Sequence, residues 1–589
     1  MSLDRLFRDE LEFLRLQGKE FAKNNPSLTH LLSEEASDPD VERLLEGFAF
    51  LSARLRHKIE DDFPELTHSI LNLLWPDYLR PFPSTTIMQF LPVQKSITKK
   101  HVLEKGMLMR SRPVDSTHCQ FTTVHDLAVY PLEITAVKPT HSKQKSVINI
   151  DLKTMGGLPL DSIDCDHLPV HLSGSDFNAS TLYLWITHYL DYLLVTIDGQ
   201  TRQLNSKHIE TPGFLPEESL LHHHKNTFDG YRILQEFLIF PRRFYFFDLV
   251  DLLSLWSGSS SDQVSFEFHF NRPLPTGINI LDDDFALHCV PAVNLFQHDA
   301  DPIMLDGKLT DYPLRPASNH AGHYEVFSVD KVSGWSDFKK GESNLVREYS
   351  PFESFQHEVE SATNRKALYY KNKIKPSMTR IGTEQRISFI RSDESDFIPM
   401  DSREAISIEM TCTNRNLPEG LSVGDICIPT EYTPSFVEFS NITRPTASLY
   451  PVLDGGLHWQ LISNLSLNYL SLLDVDSLRT IINAYDFKAH VDIQSERTSQ
   501  SRALAIKSIE TKSIDVLLEG LPIRGLKSTM EIDQEKFLSE GQLYLFGTVL
   551  SHFFALYSSI NSFHLLEVIN TSNNEKYTWK LQKGRQPVI

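Results

Sequence analysis

Apolar residues recur at three- and four-residue spacing through residues 1–80, as in amphipathic helices, and the regime changes abruptly at a run of prolines. Leu3, Phe7, Leu14 and Phe21 fall on one helical face, with Asp4, Arg8, Glu12 and Lys19 available for the other. Asp38 is a good N-cap and Pro39 suits the first helical position, which predicts a second helix. Its stripe runs through Val41, Leu44, Leu45, Phe48, Leu51, Leu55 and Ile59. A third helix can open at Pro64 and carry Leu66, Ile70, Leu73 and Leu74 up to Trp75–Pro76. Three such helices make a bundle with little core of its own. Stripe in excess of what they cover either docks on the rest of the chain or binds other chains by groove or coiled-coil-like packing.

Pro76, Pro81 and Pro83 end the helical regime, and from Thr85 the pattern is that of strands. MQFLPV, FTTVHDLAVY, LEITAVK and VINIDLK alternate β-branched and aromatic residues between turn residues, as in antiparallel sheets. An amphipathic helix is predicted around 178–192 with Asp176 as its cap, followed by strand VTIDG. The segment Gly230–Asp248, GYRILQEFLIFPRRFYFFD, gathers seven aromatic rings around one proline and three arginines. Tyr231, Leu234 and Leu238 sit at helical spacing until Pro241, and Phe244–Phe247 then read as a strand covered on both faces. Each ring fully buried contributes roughly 1.5–3 kcal/mol, so this segment is expected to be a folding centre.

VSFEFHF at 264–270, YEVFSVDKV and ISIEMTCTN continue as strands. Beyond about 441 the pattern is α/β, with helical LHWQLISNLSLNYLSLL and DVDSLRTIINAYD. Strands follow near Ala503–Ser508 and Lys527–Ile532, then a helix from Gly541 to Tyr557 and strand HLLEV. The helix places Leu543, Phe546, Leu550, Phe553 and Tyr557 on one face. No repeat is present. The expected fold is a multidomain α+β chain: a helical region at 1–83, a β-rich domain at 84–335 holding the aromatic motif, a second β-rich region at 336–440 and an α/β domain at 441–589.

A net charge of −20 argues against a protein that tracks nucleic-acid phosphates or is held on anionic lipid. Five cysteines without CxxC spacing suggest neither a disulfide framework nor a zinc–thiolate site. The charged N-terminus does not resemble a signal peptide, and no stretch approaches the ~20 apolar residues of a membrane span, so a cytoplasmic chain without membrane insertion is expected.

Candidate chemistry is sparse. Consecutive His222–His224 on a helix would diverge by about 100° per residue rather than converge on a metal. His357–Glu358 begins like HExxH, but Ser361 stands where the second histidine is required. Asp161, Asp164 and Asp166 lack EF-hand spacing, and Asp282–Asp284 read as a strand-end turn. No phosphate-cradling glycine loop or nucleophile elbow occurs, so neither an enzyme nor a bound cofactor is expected. Arg242, Arg243 and Arg444 are charges set in apolar runs, each able to pair a carboxylate within the chain or on a partner.

Longer motifs carry more. GFLPEESLLHHHKNTFDGYRILQEFLIFPRRFYFFDL at 213–249 closely resembles the signature of the TssF family of type VI secretion baseplate subunits. SDPDVERLLEGFAFLSARLRHKIEDDFPELTHSILNLLWPDYLRPFPS, VNLFQHDADPI, TCTNRNLP, ITRPT, LHWQLISNLSLNYLSL and LYLFGTVLSHFFALYSSINSF agree in order along the chain. Gly230, Tyr231, Glu236, Phe240, Pro241, Phe244 and Phe246 form the core of the matched motif. The resemblance implies a structural wedge component, two copies joining one TssG around a spike hub, with TssK and TssE as further neighbours and the inner-membrane-docked baseplate as its location. It extends to wedge proteins of contractile phages. The partner contacts are expected on Leu3, Phe7, Leu14, Phe21, Leu44, Phe48, Leu51 and Leu55, an assignment that rests on surplus apolar stripe alone.

Overall fold

The computed structural model describes residues 76–94, 96–221, 230–305, 309–318, 320–336, 345–352, 368–377, 382–391, 404–451, 474–490, 493–518 and 521–585, with helical stretches at 43–54 and single positions within 7–15 and 68–71. The chain divides into two compact units, Met1–Leu74 with Leu453–Ser463 and Trp75–Val452 with Asn464–Ile589. The described residues of the first unit are helical, as the spacing predicts. The rest of the expected bundle lies outside the described residues, as do His222–His224, His357–Glu358 and the 457–472 motif.

The second unit is strand-rich α+β. Its first sheet has six antiparallel strands in the order Ile426–Ile428, Leu108–Val114, Thr117–Thr123, Cys289–Val293, Thr85–Pro92 and Val437–Asn441. Thr85–Pro92 is the strand next to one edge, paired on one side through Met88↔Val290 and on the other through Phe90↔Phe439. Met88, Phe90, Met109, Phe121 and Val290 point into one core, which accounts for the alternation read in this stretch. An eight-stranded sheet gathers strands between Phe296 and Thr413, so it takes chain from both sides of residue 335.

The sheet order Gln200–Leu204, Leu190–Ile197, Gln263–Phe270, Ser146–Thr154, Leu132–His141 shows why alternation was legible. In Gln263–Phe270, Val264, Phe266, Phe268 and Phe270 are buried, while Ser265, Glu267 and His269 are half-buried. A four-stranded sheet beside it has the order Ile209–Glu210, Phe246–Leu249, Leu168–Leu172, Phe285–Leu287.

Helices α1 (Asp176–Thr187), α2 (Gly230–Ile239), α3 (Val475–Tyr485), α4 (Ile493–Ala505) and α5 (Glu540–Tyr557) complete the second unit. Helix α1 is shorter than the pattern predicts. Ser175, not Asp176, accepts the Asn178 N–H as the cap, and the chain leaves the helix after Thr187 because Leu190–Ile197 is taken into the sheet against Gln263–Phe270. The aromatic strand also starts later than expected. Pro241–Phe244 form a 3₁₀ turn closed by the Tyr245 N–H on the Arg242 carbonyl at 3.2 Å, and extended structure begins at Phe246.

Helix α5 packs on α1, α2 and the strand Phe563–Asn570. It therefore buries not one face but almost its whole circumference, Leu545, Val549 and Phe554 included with Leu543, Phe546, Leu550 and Phe553. Gly541 makes the approach to α1 possible: a Cβ there would overlap the Ser180 carbonyl. The strands Leu521–Ile532 and Phe563–Asn570 run parallel, with α5 as their crossover. The preceding strand begins at Ile506 rather than Ala503, since α4 continues to Ala505.

Candidate interaction surface and buried charge centre

Helix 43–54 turns Ala49 and Ala53 inward, one helical turn apart, with Leu45 half-buried beside them. Leu44, Phe48 and Leu51 are left 74%, 59% and 62% exposed. Covering a leucine or phenylalanine is worth roughly 1.5–3 kcal/mol, so this bare stripe leaves roughly 3–6 kcal/mol of burial unrealised. Phe7 is half-buried and lies edge-on to Phe50, ring centroids 6.5 Å apart, and Leu14 is half-buried. Leu3, Phe21 and Leu55 lie outside the described residues.

The aromatic motif is core. Phe240, Phe244 and Phe246 are buried, along with Phe237, Tyr245 and Phe247. Phe237 meets Phe546 of α5 at 5.7 Å between centroids, tying the motif to the C-terminal helix. Gly230 opens α2 and Pro241 opens the 3₁₀ turn.

Within this apolar mass sits a group of charges that periodicity did not reveal as a unit. Glu236, on α2, is flanked by Arg232 one turn earlier, at 3.5 Å, and by Arg243 from the turn beyond Pro241, with all three side chains 2% exposed or less. Glu236 Oε1 also accepts the Leu220 N–H at 2.9 Å. Arg243 donates to the Gly213 carbonyl at 3.0 Å and the Glu218 carbonyl at 2.7 Å, and stacks on Phe244. Gly213 is held at φ +105°, which favours glycine. Burial, with Arg232 close by, pulls the Arg243 guanidinium down to about 9, still charged at neutral pH. Buried charges persist only when paired and hydrogen-bonded, and here the pairing pins helix, turn and the 213–220 loop together.

The other candidate cations are also spent inside the chain. Arg242 donates to Asp176 at 2.8 Å and Arg444 to the Glu419 carbonyl at 3.1 Å. Asp161 accepts the Gly258 N–H at 3.0 Å. Asp282–Asp284 form a 3₁₀ turn ahead of Phe285–Leu287, in which Asp282 accepts the Val137 N–H at 2.7 Å. Among the described residues no group of three or more His, Cys, Asp or Glu side chains converges as a metal site, and no helix is long and apolar enough to cross a membrane.

One unit carries a bare apolar stripe, and the interior of the other is committed to its own packing. By match to the family profile described as type VI secretion system, TssF, over residues 1–586, the chain belongs to the TssF family and is a baseplate component of that system. It is 27% identical over an alignment of 623 positions to the type VI secretion system component TssF1 of Pseudomonas aeruginosa, covering 99% of this chain and 98% of the relative. Its fold matches a chain of the type VI secretion TssK–TssF–TssG baseplate subcomplex seen by cryo-electron microscopy, with TM-score 0.77, 28% identity and coverage of 93% of this chain and 99% of that one. A second match, in a structure of the type VI secretion baseplate complex, has TM-score 0.63 at 27% identity over the full length of both chains.

Proposed function

We propose that this chain is a structural wedge subunit, without enzymatic activity, that assembles in two copies with one TssG through its N-terminal region, residues 1–83. TssK, TssE and the spike hub are its further neighbours, and the cytoplasmic face of the docked baseplate is its site of action. Family membership supports the setting, and the TssK–TssF–TssG subcomplex that contains its structural relative supports TssG and TssK as partners. The observation that carries the contact assignment is the exposed stripe Leu44, Phe48 and Leu51 on an otherwise folded helix. The commitment of Arg242, Arg243 and Glu236 to intrachain pairs supports a structural role for the aromatic motif rather than a docking one.

Leu44→Glu with Phe48→Glu tests the assignment in co-purification with TssG. Loss of the complex with an unchanged circular dichroism spectrum is expected. An intact complex, or global unfolding of the variant, defeats the reading of this stripe as an interface.

A further inference from the structure

A cavity of about 430 Å³ opens beside the aromatic motif, with Phe246 and Asp248 on its wall. The two alternate along one strand and so share a face of the sheet. Leu127, Ala128, Pro169 and Pro291 give the wall an apolar part, and Lys105, His125, Asp126, Glu217, Glu218 and Arg243 line the rest of it. Asp248 Oδ1 is enclosed, and among the described residues no donor reaches it. The sheet explains why: the ladder places Asp248 opposite Glu210 on one side and Pro169 on the other, a like charge and a residue without an N–H.

The cations nearby do not fill the gap. Arg243 is engaged by Glu236 and by the Gly213 and Glu218 carbonyls. His125 is pushed down by burial and stays uncharged at neutral pH. The charges acting on Asp248 are Glu218 and Glu210, both acidic, and Lys105 on the cavity wall is not among them. Glu218 Oε2 already accepts the Gly213 and Leu215 N–H groups at 2.7 and 3.0 Å. The site thus offers the donor-less Asp248 carboxylate, with Asp126, Glu217 and Glu218 also on the wall, beside an aromatic ring and an apolar stretch.

We propose that this cavity binds an organic monocation, an alkylammonium or guanidinium group, whose charged head pairs with Asp248 and whose alkyl stem lies against Phe246 and the apolar wall. The carboxylate supplies the counter-charge, the ring face adds cation–π attraction, and the apolar part of the wall receives the alkyl stem. This site stands apart from the assembly reading and survives its failure.

Calorimetric titration of the full chain with n-butylammonium and N-butylguanidinium at pH 8 and matched ionic strength tests it. One-to-one binding is expected, at least tenfold weaker in Asp248→Asn and not reproduced by neutral n-butanol. Burial and the neighbouring acids raise the Asp248 carboxyl to about 7, so wild-type affinity should fall about tenfold between pH 8 and pH 6 while both ligands stay charged. That pH series needs no variant to fold. A blocked lysine tripeptide separates the sources: binding of the tripeptide as well as the amine supports a basic side chain of a neighbouring chain, and binding of the amine alone supports a small free amine. Absence of binding, equal binding of butanol, or affinity unchanged by both pH and Asp248→Asn overturns the proposal.

Discussion

Helix 43–54 and helix α5 are both rich in leucine and phenylalanine at helical spacing, yet their surroundings are opposite. Leu543, Phe546, Leu550 and Phe553 have no exposed surface, whereas Leu44, Phe48 and Leu51 are mostly in water. Periodicity reports which side chains share a face, not whether that face is covered. In α5 the small residue Gly541 lets a second helix close in, and the neighbouring helices fill the remaining circumference. In helix 43–54 the small residues Ala49 and Ala53 are the covered ones, and the large residues face out. The proposed contact with a partner would use this inversion, in which the small side chains are buried and the large ones are bare.

The sharpest way to break this contrast is at the charge centre that ties α2 to the 3₁₀ turn and the 213–220 loop. Glu236→Ala leaves Arg232 and Arg243 buried without their carboxylate and should cost about 3–5 kcal/mol in urea unfolding. Replacing all three charges together with apolar residues should recover part of that loss. Phe546→Ala, Phe240→Ala and Phe246→Ala should each cost about 3–5 kcal/mol by the same measurement. If the Phe240 or Phe246 variant instead folds stably but no longer assembles, the motif is an interface. Gly541→Ala, which forces a methyl group into the Ser180 carbonyl, should cost about 1–3 kcal/mol.

Asp248→Asn should act in the other direction. The folded carboxyl titrates near 7 against about 3.9 unfolded, so the folded state binds its proton more tightly. The stability this provides is complete below pH 4 and lost as pH rises to 7. The variant should therefore be more stable than wild type by on the order of 2 kcal/mol at pH 8 and equal to it at pH 4, as read in paired melting curves. Phe48→Ala should move stability by no more than about 0.5 kcal/mol, and a larger loss would mean that its helix face is covered after all.

Much of the second unit was legible along the chain. Gln263–Phe270, α2 up to Pro241 and α5 follow from alternation, helical spacing and a proline stop. Cap identity was less so: Ser175 and Asp176 are both good caps, and only the path of the preceding loop decides between them. Sheet order was not legible, because pairing Phe90 with Phe439 is a long-range choice that no local pattern encodes. The charge centre was half visible. Arg232 and Glu236 stand at the i, i+4 spacing of a helical ion pair, but their burial and the return of Arg243 depend on the turn at Pro241. Nothing local in the sequence marks Asp248, because its lack of a donor comes from Glu210 and Pro169, both distant in sequence.

The two-sided pairing of Thr85–Pro92 also sets a timetable for synthesis. Its second partner, Val437–Asn441, leaves the ribosome roughly 345 residues later, so at about 5–20 residues per second one edge of this strand stays open for roughly 20–70 s. An unpaired strand carrying Met88 and Phe90 is a template for stray pairing with other nascent chains. Slowing translation between residues 93 and 436 should therefore raise the aggregated fraction, and the vulnerability ends only when the chain reaches Asn441.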